Sequence, residues 1–506
     1  MPLTTYDIKK RHRDYTKYSK SWKIVKDCIG GEDIIKKEDE TYLPFPVALE
    51  DDIRKSDDFK LQYEIYKEGA HYTNYTEEAL EDLVSGCFRK DIVVVGADEI
   101  SQKIPVDDIA RDMVRKATSY GRMFVIADYP KTEKVITKAE EEAQGISASV
   151  IVYEPLQIID WDDYVFNGAS RARRVVVEQC DPLDSSKTIW IEYMIDGVDK
   201  LYKIRVHKEV NGNIEYEENI PKANGQAFKI IPGLFCGSVT NAPDVDRIPL
   251  LGISTSNIKH YQTFAELIHV QVYTGHPQVV MTGMPKGWLQ SLKDEATRLA
   301  AQGGSAPKVH EPKVNVGASR TLVVEGDSSD IKLLTLTGSD LVHFKTLEQL
   351  EKSMLEQGAR IKYFSVKGGV ESADTLRTRS TGESSQLAKI ATNVERALEE
   401  VLTYANQFMA INTEVAVEIN KEFYQATPDA SLITIMNQLI ATGNLPITVL
   451  WAYLRKVGII DVDIDDEMLT VALDKTFTNG FRTSTNTTTN QDTQPPQNNQ
   501  GQQSSS

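Results

Sequence analysis

The chain has 506 residues, 41% of them hydrophobic and 26% charged, with a formal net charge of −17; its mean hydropathy is −0.35. These values fit two to four globular domains with sizeable cores and exclude a fibrous or wholly disordered chain. No run of eighteen apolar residues occurs, so a membrane span is not expected. Cys28, Cys87, Cys180 and Cys236 are scattered without a CxxC pair, which predicts free thiols in a reducing compartment rather than zinc or dithiol chemistry.

Residues 1–26 carry eight Lys or Arg against Asp7 and Asp14. They predict a basic helical arm, either a solvated face or a contact with nucleic acid or a neighbouring subunit. The segment lacks the apolar stretch of a secretory signal. Residues 59–90 are expected to be helical, with Leu61, Ile65, Leu80, Leu83 and Val84 on the buried face and Thr76 at a helix start. A strand at residues 92–95, a helix at 106–120 stopped by Gly121, and a strand at 124–128 follow. Runs at 149–153, 174–179, 188–195, 201–209 and 214–217, with Asp196-Gly197 and Asn211-Gly212 as turns, predict an antiparallel meander. The first half is therefore expected to be α+β.

The character changes after Pro249. Residues 252–275 lack proline and would span about 36 Å as a helix. Apolar residues cover more than one stripe of it, which calls for neighbours on several sides. Short strands near 279–281, 320–325 and 331–337 and a helix at 288–301 follow. Leu341, Phe344, Leu347, Leu350, Met354 and Ile361 predict a second long helix at 340–363. A polar loop with Lys367, Gly368, Gly369, Arg377 and Arg379 separates it from the longest predicted helix, about 380–412, with Thr381, Ser384 or Ser385 as its cap. A small helical region at 428–474 precedes a Ser/Thr/Asn/Gln/Pro tail at 483–506, expected to be disordered.

Motifs for chemistry are sparse. There is no phosphate-binding GxxxxGK[ST], no HExxH and no GxSxG. His269 and His276 lie seven apart, too far for a helical metal pair. Asp461, Asp463 and Asp465 begin like a calcium loop, but Asp466 stands where glycine is needed and Ala472 where glutamate is needed. No metal, cofactor or catalytic residue is expected.

Several strings occur in a characteristic order: Trp22, Asp27, Gly30 and Tyr42-Leu43-Pro44-Phe45-Pro46; Tyr72 to Thr76, then Leu83 to Lys90; Tyr120-Gly121-Arg122 with Asp128-Tyr129-Pro130; and Ile248-Pro249, Asn257, His260-Tyr261-Gln262, His276-Pro277 and Thr282-Gly283. With the order of predicted elements, they resemble the portal proteins of tailed bacteriophages over residues 15–475. Residues 180–230 carry no matching string, and residues 483–506 lie beyond the match.

The resemblance implies a portal fold. Its parts would be a mixed α/β wing (1–250), a first stem helix (251–275), a small β-containing clip (276–338) and a second stem helix (339–363). A tunnel loop (364–380), a long kinked helix (381–425), a helical crown (426–475) and a polar tail (476–506) would complete it. It implies a non-enzymatic ring subunit, in about twelve copies, at one capsid vertex of the virion. Its partners would be further copies, the large terminase subunit, head-completion or tail adaptor proteins, the major capsid protein and, transiently, double-stranded DNA. Lys367, Gly368, Gly369, Arg377 and Arg379 would face the DNA; Trp288, Lys308, Lys313 and Arg320 would dock partners on the clip. The acidic charge suits a channel wall that must not grip phosphate. The alternatives are another head–tail connector or virion structural subunit, and a hydrolase acting on nucleic acid.

Overall fold

The computed structural model describes residues 7–45, 57–97, 104–130, 146–275 (except 183 and 224), 278–301, 322–325, 330–334, 340–362, 385–423 (except 412 and 422) and 430–456. The architecture is mixed α+β, helices packed with several small sheets. The chain divides into two compact units, Met1–Phe423 and Tyr424–Ser506.

The first unit opens with α1 (Arg13–Gly30) and α2 (Glu32–Lys37). Trp22, Val25 and Cys28 of α1 are fully buried, and the Trp22 indole donates to the Tyr120 carbonyl at 3.2 Å. The basic segment is thus part of the core. Its cations meet carboxylates of the same chain: Lys9 pairs with Glu209, Arg11 with Glu178, Lys23 with Asp27 and Glu38, and Lys26 with Glu154. The exposed Lys9 and Arg11 pairs are individually weak, but together they draw residues 9–12 across the sheet below.

The expected helix at 59–90 is two helices, α3 (Asp57–Gly69) and α4 (Tyr75–Cys87). Asn74 caps α4, its side-chain oxygen accepting from the Glu77 amide at 3.1 Å. Thr76 sits inside the first turn, fully buried. The buried face of α3 is also not the predicted one. Phe59, Tyr63 and Tyr66 point inward, while Leu61 and Ile65 are exposed.

Next come β1 (Val93–Val95), α5 (Val106–Tyr120) and β2 (Arg122–Asp128). Gly121 closes α5 at φ 71°, its N–H reaching the Ala117 carbonyl at 2.9 Å. A Cβ there would lie 2.3 Å from the Arg247 carbonyl oxygen, so backbone angle and crowding both demand glycine. Buried β2 is the centre of an antiparallel sheet, flanked by β3 (Ser149–Tyr153) and a strand at Gly233–Gly237 that the sequence pattern did not announce.

An antiparallel meander is present with five strands in sequential order, β4 (Ile158–Phe166), β5 (Ala169–Asp181), β6 (Asp184–Ile195), β7 (Tyr202–Val210) and β8 (Asn213–Asn219), but the run expected at 149–153 is not among them: it pairs with β2, and β4 takes its place. Asn211-Gly212 turns the last hairpin with φ of 51° and 80°, the twist-matched geometry such pairs supply. Asn167-Gly168 does the same between β4 and β5, at 50° and 81°. One face of the sheet is core, through Val175, Val177, Tyr193 and Tyr202. The other carries an ion-pair lattice in which Arg174 holds Asp160 and Glu192, and His207 approaches Glu192 at 3.1 Å. After the short strands β9 (Lys222–Ala223) and β10 (Gln226–Ala227), β11 (Gly233–Gly237) returns to β2.

The rest of this unit holds α6 (Leu251–Gly275), β12 (Gln278–Met284), α7 (Trp288–Ala301), β13 (Leu322–Glu325), β14 (Asp330–Leu334), α8 (Asp340–Lys362), α9 (Gln386–Phe408) and β15 (Ala416–Glu418). Ser385 is the cap of α9, accepting from the Ala388 amide at 3.1 Å.

The long helix expected to run to 412, or to 425 as a connecting segment, stops at Phe408. Ala410 adopts φ 60°. The Ile411 amide returns to the Asn406 carbonyl and the Ala410 amide to that of Gln407, a Schellman closure built without glycine. Beyond it, β15 pairs antiparallel with β1. The outer amides of β15 are taken by glutamates of α9: Val417 N–H donates to Glu399 and Ile419 N–H to Glu395.

In the second unit, α10 (Ala430–Ala441) ends at Gly443 in the left-handed region, and α11 (Ile447–Lys456) buries Leu450 and Trp451.

Candidate functional site

Among the described residues, no cluster of catalytic side chains stands out. Among the described residues, no three His, Cys, Asp or Glu side chains are grouped to hold a metal ion, and no helix is long and apolar enough to cross a membrane. A cleft of about 220 Å³ lies where β5, β11 and α9 meet, but the Arg171–Glu400 pair with Tyr404 spans its wall. His269 packs edge-on against Phe45 and Tyr66, and burial lowers its pKa. It is a half-buried histidine packed among aromatic rings.

The distinctive geometry lies in the long helices. Helices α6 and α8 run antiparallel, with Ser256 beside Gln357, His260 beside Glu351 and Glu266 beside His343. Tyr75 also donates to Glu351 at 3.0 Å, tying α4 to the pair. Burial lowers the pKa of His260, with Glu351 opposing it, so the contact is chiefly a neutral hydrogen bond at neutral pH.

Between the two helices the chain makes an excursion. Strand β12 is central, parallel to β13 and antiparallel to β14, with α7 as the crossover that a parallel pair requires. An α/β module is thus spliced into a helical hairpin.

The breadth of apolar surface on α6 is met within the chain. Tyr261 and Ala265 share a cluster with Phe59, Tyr63, Tyr66, Tyr72 and Leu43, and Ile253 belongs to the main core. The neighbours that this breadth calls for come from the same chain: α1, α3, α4 and α8. What remains uncovered is the outer face of α8. Leu347, Met354 and Ile361 face inward at seven-residue spacing, while Leu341, Val342, Phe344 and Leu355 are exposed.

Residues 249–409 match a family described as "Domain of unknown function (DUF4055)". No curated protein matches the chain. The matched segment begins just before α6 and ends just after α9, so it takes in the helical hairpin, its inserted module, residues 363–384 and the long helix.

Of the residues singled out from sequence, Trp288 is described. It opens α7, half-buried, its amide bonded to the Pro285 carbonyl at 3.1 Å. Lys308, Lys313, Arg320, Lys367, Gly368, Gly369, Arg377 and Arg379 lie outside the described residues. The chain leaves toward 363–384 beside Ile361 and returns beside Leu387, both in the same buried cluster. Of the near-heptad residues that predict α8, Leu347, Met354 and Ile361 are buried and Leu341 and Phe344 are exposed, because a heptad pattern does not say which of two apolar faces is covered.

Proposed function

We propose that this chain is the subunit of a portal ring of a tailed bacteriophage, a structural rather than catalytic protein. About twelve copies would close around a channel for DNA at one capsid vertex of the virion. The observation that carries this reading is the antiparallel α6/α8 hairpin with an α/β module inserted between its ends and an apolar stripe along its outer side. In the portal reading α6 and α8 are the stem, the module at 276–338 is the clip, residues 364–380 are the tunnel loop, and residues 426–475 are the crown. A ring closes through a heterologous contact repeated by rotation, which needs an exposed flank of this kind.

The clip, with Trp288, Lys308, Lys313 and Arg320, would dock the large terminase subunit and then the head-completion or tail adaptor proteins; the wing would meet the major capsid protein. Lys367, Arg377 and Arg379, beside Gly368 and Gly369, would touch passing phosphates. A few screened contacts on an acidic subunit suit DNA that has to slide.

Negative-stain images of the purified protein test this reading. Rings with a central hole wide enough for duplex DNA are expected; monomers or dimers under all assembly conditions would refute it. If rings form, Lys367→Ala/Arg377→Ala/Arg379→Ala is expected to leave them intact while impairing DNA packaging or retention. Unimpaired packaging and retention would remove the loop from the mechanism.

A further inference from the structure

Helix α6 is sandwiched. Tyr261 and Ala265 lie on the face that meets α3, whereas Ser256 and His260 lie on the face that meets α8. At 100° per residue these two sets are on roughly opposite sides of the helix. The two outer helices of this three-helix layer therefore turn their own outer faces in different directions.

Both outer faces combine exposed apolar residues with charges, acidic on α3 and predominantly basic on α8. On α3, Leu61 and Ile65 are 63% and 65% exposed. Asp57 and Glu68 share their side by helical spacing, Glu68 without a charged partner among the described residues. On α8, Leu341 and Leu355 are 65% and 74% exposed. Lys345 and Lys352 lie between them on the same stripe, neither paired with a carboxylate of its own chain among the described residues. Glu348 interrupts that basic run. Two separate exposed apolar stripes on one monomer are unusual for surfaces that stay wet.

We infer that the outer face of α3 on one copy docks against the outer face of α8 on the next. The occupant is a second copy of this chain because each face supplies what the other lacks: apolar residues with acids here, apolar residues with lysines there. The contact is heterologous, since the two faces differ and point apart, and repeated by rotation it closes a ring. Two copies of the α3 face are poor partners for each other, because their acids would meet their own sign. The inference rests on the ring reading and names the faces that build it.

A charge-reversal exchange tests it. Asp57→Lys/Glu68→Lys places cations on both faces, and Lys345→Glu/Lys352→Glu places acids on both. Each variant alone is expected to lose at least tenfold in assembled fraction by sedimentation velocity. Mixed in equal amounts, they are expected to recover assembly, because every contact in an alternating ring again joins opposite signs. Circular dichroism establishes that each variant is folded. Should either fail to fold, Leu61→Gln and Leu355→Gln read the same contact, and each should lower the assembled fraction at least tenfold. Variants that assemble like wild type, or folded variants that fail alone and remain unassembled when mixed, overturn this pairing. Wild-type protein that never exceeds a dimer instead overturns the ring reading itself.

Discussion

The side-chain oxygen of Asn257 on α6 accepts from both the backbone N–H and the hydroxyl of Thr76 on α4, each at 3.0 Å. Tyr72 donates to the same oxygen at 3.0 Å, and the Asn257 amide nitrogen donates to the Thr73 carbonyl at 2.8 Å. Asn257 and Thr76 are both fully buried. One carboxamide thus satisfies the start of α4 and fixes it to the long helix. Its removal would strand several buried polar groups at about 1–3 kcal/mol each, some of them re-pairing on relaxation. Asn257→Ala is expected to lower stability by about 3 kcal/mol in chemical unfolding. A loss below about 1 kcal/mol would show that the cluster re-pairs freely.

Ala410 holds a left-handed backbone at φ 60° where a helix C-terminus prefers glycine. For an L-residue with a Cβ this costs roughly 1 kcal/mol. Ala410→Gly is expected to raise the thermal midpoint of the unit that contains α9, corresponding to about 0.5–1 kcal/mol. A lowered midpoint would mean that the loss of unfolded-chain rigidity outweighs the relief of strain.

Arg122 is buried between two rings, its guanidinium carbon 3.9 Å from the Trp161 centroid and 4.1 Å from that of Phe235. None of its guanidinium nitrogens has a hydrogen-bond partner among the described residues. Burial pushes its pKa down to about 9, with Asp14, Asp244 and Asp246 opposing the shift, so it remains a cation at neutral pH. If its main work is filling the aromatic slot, Arg122→Met stays within about 1 kcal/mol of wild type. Arg122→Ala then loses about 2–4 kcal/mol through the cavity it leaves. Equal losses in the two variants would assign the stabilisation to the charge.

Glu192 provides a pH signature. Burial works to raise its pKa, but hydrogen bonds from His207 and Arg174 outweigh it and hold the carboxyl below its ordinary 4.5. A depressed carboxyl stabilises the fold above its unfolded pKa and loses that contribution as pH falls through the folded value. The stability gap between wild type and Glu192→Gln is therefore expected to be constant near neutrality and to shrink below about pH 4.5. A gap that persists unchanged to pH 3 would contradict the ionised pairing.

Much of the fold was legible where a local rule had a single solution. Gly121 stops α5 because only glycine fits both its backbone angle and the Arg247 carbonyl beside it, and Asn211-Gly212 turns a hairpin as such pairs do. Strand β4 was not legible. Its pairing with β5 shifts register near Asp160 and again at Asp162–Asp163, which breaks the alternation that marks a strand. The stop of α9 was hidden because an alanine occupies the position where glycine would have signalled it. The buried face of α3 differs from the expected one for another reason. Tyr63 and Tyr66 proved to be the inward residues of α3, and aromatic rings with a polar end can serve either side of a helix. Burial of Leu61 depends on what stands beside it, which spacing alone does not encode.

The most direct test of the central claim is a cryo-electron microscopy map of the assembled particle. The account predicts a closed ring in which the α6/α8 hairpins of successive copies surround an axial hole that admits duplex DNA, with the inserted α/β module projecting from one end. A particle lacking an axial hole, or one whose hairpins lie at the periphery without touching neighbouring copies, would contradict it.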